Sequence, residues 1–158
     1  MNKIELLQSV PLFSVLNNIS LKKISEKMVT RSHSKGKMVV IEESMGRTFF
    51  LIKSGAVKVT RMSDDGREVI LAMLGEGDFF GEMALLDGEG RSANVVTIDD
   101  SVLLTLQRSD FLYILERYPK IAIKLLEELT TRIRYSDQQI ESLSLSDAEQ
   151  RICIALIR

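Results

Sequence analysis

The spacing of apolar and polar residues changes twice along the chain. Residues 1–34 have helical spacing, and Ser20 predicts the N-cap of a helix over 21–29. Residues 38–107 instead show short runs of β-branched and aromatic residues, which turns containing glycine or aspartate separate. From Ala122 onward, apolar residues again recur every three or four positions. The pattern predicts an N-terminal helical segment, a β domain and a long helix.

The middle stretch predicts about seven short strands with turns at regular intervals. Val57 and Val59 alternate with Lys58 and Thr60, and Asp64–Gly66 is a hairpin-turn signal. Such a series is typical of a barrel or a jelly roll. We therefore predict a mainly β fold with flanking helices, in which a double-stranded β-helix (jelly roll) precedes a long helix.

A second N-cap, Ser109, predicts a helix over 111–117, and Pro119 predicts the start of the next one. The long helix carries a seam with alternating spacings of three and four residues, at Ala122, Leu126, Leu129, Ile133, Ser136, Ile140 and Leu143. Such a seam favours pairing with a second copy, and the alternative is packing on its own domain alone.

The long helix is predicted to end at Ser144–Asp147, because Ser146–Glu149 reads as a capping box that opens another helix. The chain stops one turn after Ile154. We interpret the chain as a fragment of a longer protein, although a naturally short chain would look the same.

Composition narrows the function classes. The net charge of −1 disfavours nonspecific coating of nucleic acid. With His33 as the one histidine and Cys153 as the one cysteine, a zinc site or a metal-dependent oxygenase on a jelly roll lacks ligands. We expect a cytoplasmic protein that is not an enzyme, binds no metal and does not enter a membrane.

Residues 79–95 combine chemistry suited to a nucleotide. Gly81 opens a short apolar run that begins with Glu82, and Arg91 and Ser92 follow a turn. A guanidinium suits a phosphate, and backbone N–H groups at a helix start favour an anion. A carboxylate beside a phosphate makes sense if it accepts a hydrogen bond from a sugar hydroxyl. Phosphate and ribose together indicate a nucleotide.

This arrangement resembles the phosphate-binding cassette of cyclic-nucleotide-binding domains. The Arg91-Ser92 pair is most similar to the bacterial transcription regulators of the cyclic AMP receptor protein (CRP/FNR) family. The resemblance implies that the phosphate binds Gly81, Arg91 and Ser92, and that the ribose binds Glu82. We expect Arg132 to pair with Glu82 and the ribose, and a solvated surface arginine is the alternative. It implies that the base lies among Val59, Leu71, Leu74, Ser136 of the same subunit and Asp137 of the other subunit.

The resemblance also implies a role. A cyclic-nucleotide-binding domain at 1–118, a dimerisation helix at 119–144, and a hinge with the first helix of a DNA-binding domain at 145–158 would form the sensing part of a homodimeric regulator. The effector would be cyclic AMP, with cyclic GMP as the alternative because Asp137 suits either base. DNA would bind only through the winged helix-turn-helix domain that this chain lacks, with RNA polymerase as a partner of the full-length protein.

Two alternatives remain open. One is a regulatory module of a kinase or an ion channel that uses the same pocket. The other is a member of the regulator family that responds to a different effector.

Overall fold

The computed structural model describes residues 2–40, 46–90 and 92–157, with side chains described as far as residue 145. Its elements in chain order are α1 (Lys3–Ser9), α2 (Asn18–Lys27), β1 (Val29–His33), β2 (Met38–Val40), β3 (Thr48–Ser54), β4 (Val57–Met62), β5 (Glu68–Leu74), β6 (Phe79–Phe80), α3 (Glu82–Asp87), β7 (Asn94–Thr97), β8 (Ser101–Gln107), α4 (Arg108–Arg117) and α5 (Pro119–Ile157).

The strands form two antiparallel sheets of four, in the orders β1-β8-β3-β6 and β2-β7-β4-β5. Both sheets contain strand pairs that are distant in sequence, since β3 pairs with β8 and β4 pairs with β7. The predicted jelly roll with flanking helices and a long C-terminal helix is therefore confirmed.

The first sheet is buried on both faces along β3, which lies in its interior. Alternation along β3 sends Phe50 and Ile52 into the space between the two sheets, and sends Phe49 and Leu51 toward the helices. This explains the unbroken apolar run that the sequence shows there. The helix-side core is the larger one, and it includes buried residues of α1, α2, α3, α4 and the start of α5.

Three predicted boundaries were wrong. The second helix is capped by Asn17, whose Oδ1 accepts from the backbone N–H of Ser20 at 2.9 Å, because asparagine caps as well as serine does. That helix ends at Lys27, and the chain continues into β1. Helix α4 begins at Arg108 directly after β8, so Ser109 lies inside it. The two-residue strand β6 was also missed.

The predicted end of the long helix at Ser144–Asp147 was also wrong, because α5 continues without a break to Ile157. Residues 120–158 contain neither glycine nor proline. Serine and aspartate cost a helix interior only about 0.7 kcal/mol or less each, so capping residues alone do not stop it. No helix in the described ranges is long and apolar enough to cross a membrane.

We predict that Gly55→Ala will destabilise the fold strongly. Gly55 has a φ of +90°, and an added Cβ would lie 2.7 Å from the Ser101 Cα and 2.6 Å from the Asp100 carbonyl oxygen. Strain and overpacking together should lower the free energy of unfolding by roughly 2–5 kcal/mol in urea denaturation. Gly66→Ala is the control, with a φ of +83° and open space, and should cost only about 1–2 kcal/mol. Equal losses would contradict the steric argument.

Candidate functional site

Aromatic pairs fix the point where the cassette begins. Strand β6 pairs with β3, and the rings of Phe50 and Phe80 stack at 4.7 Å between the two sheets. On the helix side, Phe49 stacks with Phe79 at 5.5 Å and with Phe111 of α4 at 4.7 Å. Each such pair contributes about 0.5–1.5 kcal/mol beyond its buried area. The residues that follow β6 therefore start from a rigid position.

The turn between β5 and β6 is held against β3. The backbone N–H of Gly77 donates to the Ile52 carbonyl at 2.9 Å, and the N–H of Ile52 donates to the Asp78 carbonyl at 2.9 Å. The Asp78 carboxylate closes the turn by accepting from the Gly75 N–H at 2.9 Å. These bonds fix the position of the turn from which β6 begins.

Two glycines in the left-handed conformation bound the short helix α3. Gly81 caps its start with a φ of +88°, and Gly88 caps its end with a φ of +74° and donates to the Ala84 carbonyl at 3.2 Å. Any other residue at Gly81 would be strained by its backbone alone. Leu85 is fully buried in the helix-side core and fixes the helix against the domain.

Glu82 is the buried charge of the site. Its side chain is 5% exposed, and its Oε1 accepts from Nη1 of Arg132 at 3.0 Å. The Arg132 Nη2 donates to the Phe79 carbonyl at 2.8 Å, and the guanidinium lies 4.3 Å from the centre of the Phe79 ring. The predicted pairing of Arg132 with Glu82 is confirmed, although the ribose contact stays a prediction.

Sequence reasoning missed Phe79. It gives Arg132 both a carbonyl acceptor and an aromatic face, which together orient the planar guanidinium toward Glu82. The sequence shows only an aromatic pair before a glycine, which is also an ordinary core pattern. Its role depends on α5 returning to the cassette from 53 residues farther along the chain.

Ser92 returns to the first turn of α3. Its hydroxyl lies 3.7 Å from the Sδ of Met83, one residue after Glu82. The chain therefore brings Ser92 and Gly81 to the same end of the helix, as a phosphate site requires. Arg91 lies outside the described residues, so its phosphate contact stays a prediction.

The predicted base wall is only partly assembled. Val59 and Leu74 pack against the core between the two sheets. Leu71 is 50% exposed and falls at a register shift, because Val59 pairs with Ala72 while Thr60 pairs with Ile70. A bulge re-aims the side chain of its extra residue and is often found beside a site. All three base contacts remain predictions.

Ser136 and Asp137 lie on an exposed part of α5, about one turn beyond Arg132. Among the predicted seam residues, Leu129 packs partly against the core of its own domain. Four others, which are between 61% and 66% exposed, form an open apolar stripe: Leu126, Ile133, Ile140 and Leu143.

A separate groove of about 220 Å³ lies between α2 and α4 and is lined by Lys27, Tyr113 and Arg117, among others. Lys27 contacts both the Tyr113 ring and Asp110 there. None of the predicted site residues lines this groove. Within the described ranges, no three or more histidine, cysteine or acidic residues gather closely enough to hold a metal ion.

Comparison with known proteins agrees with this geometry. Residues 30–118 match the cyclic nucleotide-binding domain family, a span that includes both sheets and the whole cassette. The chain belongs to that family.

Its relatives include both regulators and kinases. The chain is 38% identical over 128 residues to the cyclic AMP receptor protein of Thermus thermophilus, covering 81% of this chain and 59% of that one. It is 32% identical over 146 residues to a cGMP-dependent protein kinase of Drosophila melanogaster, covering 90% of this chain and 16% of the kinase. The crystal structure of the Thermus thermophilus catabolite activator protein superposes with a TM-score of 0.77 at 36% identity, covering 85% and 63% of the two chains.

We predict that Arg132→Ala will lower the free energy of unfolding by roughly 1–3 kcal/mol. The substitution removes a guanidinium that is bonded to a buried carboxylate, and with it the bond to the Phe79 carbonyl. The matched control is Arg134→Ala, two residues away and exposed, which should change stability by less than about 0.5 kcal/mol. Urea denaturation in the absence of nucleotide measures both. Equal effects would mean that the Glu82–Arg132 pair adds no stability.

Proposed function

We propose that this chain is the cyclic-nucleotide-sensing domain of a dimeric bacterial transcription regulator. The observation that carries the proposal is Glu82, a carboxylate buried at the opening of the cassette and held by Arg132 from α5. A buried carboxylate is expensive unless it has partners, and a ligand hydroxyl is a further donor to it. Family membership and the 38% identity to a cyclic AMP receptor protein support the same reading.

The phosphate and the ribose bind at opposite ends of one small site. Arg91 pairs with the single negative charge of the phosphate, and Ser92 and Gly81 add hydrogen-bond donors. Glu82 accepts from the ribose hydroxyl. The contact of Ser92 with Met83 supports this division, since it places Ser92 beside the residue that follows Glu82.

Arg132 makes the site sensitive to the long helix. It contacts Glu82 and the Phe79 carbonyl from α5, so a ribose that shares Glu82 changes the environment of a residue on that helix. Such coupling is allosteric only if the nucleotide binds two arrangements of the helix with different affinity. The DNA that the regulator controls binds to a part of the protein outside this chain.

The effector is cyclic AMP, with cyclic GMP as the alternative. Ser136 and Asp137 contact the base, the first from the same subunit and the second from the other. A carboxylate accepts from the N1–H and N2–H of guanine and also from the adenine amino group, so chemistry alone leaves both open.

A second candidate function is a regulatory module of a nucleotide-dependent kinase. The 32% identity to a cGMP-dependent protein kinase extends over 90% of this chain and favours it. The pocket is shared by both functions. The exposed stripe on α5 favours the regulator, because it suits pairing between two copies.

Calorimetric titration with cyclic AMP and cyclic GMP tests the proposal. We expect binding at micromolar concentration or tighter, and we expect Arg91→Ala to weaken it roughly 30-fold to several thousandfold, because a paired phosphate charge is lost. Arg31→Ala is the control, since that arginine is exposed on β1 and outside the cassette. A folded wild-type chain that binds neither nucleotide would overturn the proposed function.

The base preference has its own test. If Asp137 contacts the base, Asp137→Ala should change the ratio of the affinities for cyclic AMP and cyclic GMP, because the two bases offer different donors to a carboxylate. The same titrations measure the ratio. A uniform effect on both nucleotides, or none, would remove Asp137 from the base site.

A further inference from the structure

Helix α5 presents an apolar stripe that its own domain does not cover. The buried residues Ile121 and Leu125 anchor its first turns to the helix-side core. Beyond them, Leu126, Ile133 and Ile140 recur at intervals of seven residues, each more than 60% exposed. The helix has 39 residues and is therefore about 58 Å long. A seven-residue repeat of exposed aliphatic side chains is the pattern of a two-stranded coiled coil.

This repeat fixes the heptad position of each remaining residue on the helix. If Leu126, Ile133 and Ile140 occupy the a positions, the d positions fall at 129, 136 and 143. Arg132 then lies at a g position and Asp137 at the next e position. In a parallel pair of helices, each g residue faces the e residue five positions ahead on the other helix. The register therefore brings a guanidinium of one copy to a carboxylate of the other.

In the dimer of the proposed function, with its α5 helices paired in parallel, we propose that Asp137 of one copy forms an ion pair with Arg132 of the other. Arg132 then bridges two carboxylates, Glu82 of its own cassette and Asp137 of the second copy. The two-fold symmetry of the pair gives two such bridges. The inference rests on the proposed function, and it names the contact that links the nucleotide site to the dimer.

Arg132 can form the ion pair with Asp137 and keep its bonds to Glu82 and the Phe79 carbonyl. Its guanidinium has five N–H donors in a fixed fork, and the structure uses Nη1 for Glu82 and Nη2 for the Phe79 carbonyl. Its side chain is 36% exposed, so its own domain does not enclose it completely. Stacking over the Phe79 ring holds the plane of the group and lowers the entropy lost in a further contact.

Asp137 cannot pair with Arg132 of its own helix. Five positions correspond to a rotation of about 140°, whereas side chains on one helix meet at separations of three or four. In the described part of the chain, Asp137 takes part in none of the ion pairs. An antiparallel pair would set g against g and e against e, so opposite charge at these positions favours the parallel arrangement.

A double-mutant cycle on the dimer tests the pair. The dimer dissociation constant is measured by sedimentation equilibrium, without nucleotide, for the wild type, Arg132→Gln, Asp137→Asn and the double variant. Each single change should weaken the dimer roughly two- to fivefold, and the double change should weaken it no more than one single change does. Raising the salt concentration should remove most of the difference, since the pair is partly exposed.

The control is Glu141→Gln, which removes an acidic residue at a b position on the exposed side of the same helix. It should leave the dissociation constant unchanged.

Asp137→Lys adds a variant that keeps Glu82 and Arg132 intact, and it should weaken the dimer more than Asp137→Asn does, because it sets two positive charges together.

Orientation is measured separately by crosslinking. In a Cys153→Ser background, Ile140→Cys should form a disulfide-linked dimer on oxidation, because parallel helices in register bring the two a positions side by side. Gln138→Cys, on the outer side of the helix, should not.

The outcomes separate the pair from the proposed function. Additive effects of Arg132→Gln and Asp137→Asn on an intact dimer would overturn the ion pair and leave the nucleotide sensor standing. A wild-type chain that stays monomeric at high concentration would overturn both the pair and the dimeric part of the proposal. Nucleotide binding by that monomer would still support the sensing site.

Discussion

The structure depends on the burial of β3 and β6 between two cores. Phe49 stacks on Phe79 and on Phe111 of α4, while Phe50 stacks on its neighbour Phe80 on the inner face of the same sheet. The same two-residue strand that closes the sheet also sets where the cassette starts. The packing of these aromatic side chains therefore positions the site. The short helix α3 contributes less, because Ala84 and Leu85 are its only buried apolar residues.

The Glu82–Arg132 pair joins two parts of the chain that are 50 residues apart. One partner comes from the cassette and the other from the helix that leaves the domain. A buried carboxylate held by a guanidinium is sensitive to anything that adds a donor or removes a positive charge. The contact therefore belongs both to the fold and to the proposed sensing site.

Local chemistry made much of this predictable. Most of the strands, the turn at Asp64–Gly66 and the Gly81-Glu82 start of the cassette follow from patterns within a few residues, whereas β1 and β6 do not. The features that the sequence did not predict depend on contacts between distant parts of the chain. The sequence did not show Phe79 as the platform for Arg132, because that contact needs α5 to fold back onto β6. It did not show the bulge beside Leu71, because a register shift depends on both strands. The predicted break at Ser144 was wrong for the opposite reason, since capping residues alone do not end a helix whose interior contains no strong breaker.

The unbroken course of α5 has a mechanical consequence. From Arg132 to Ile157 its axis measures about 38 Å at about 1.5 Å per residue. A straight rod of that length converts rotation into displacement, so a tilt of about 5° at the level of Arg132 moves the far end by about 3 Å. That is close to the length of one hydrogen bond. A helix of this length therefore amplifies a small change of angle at the cassette into a displacement of several ångströms near Ile157.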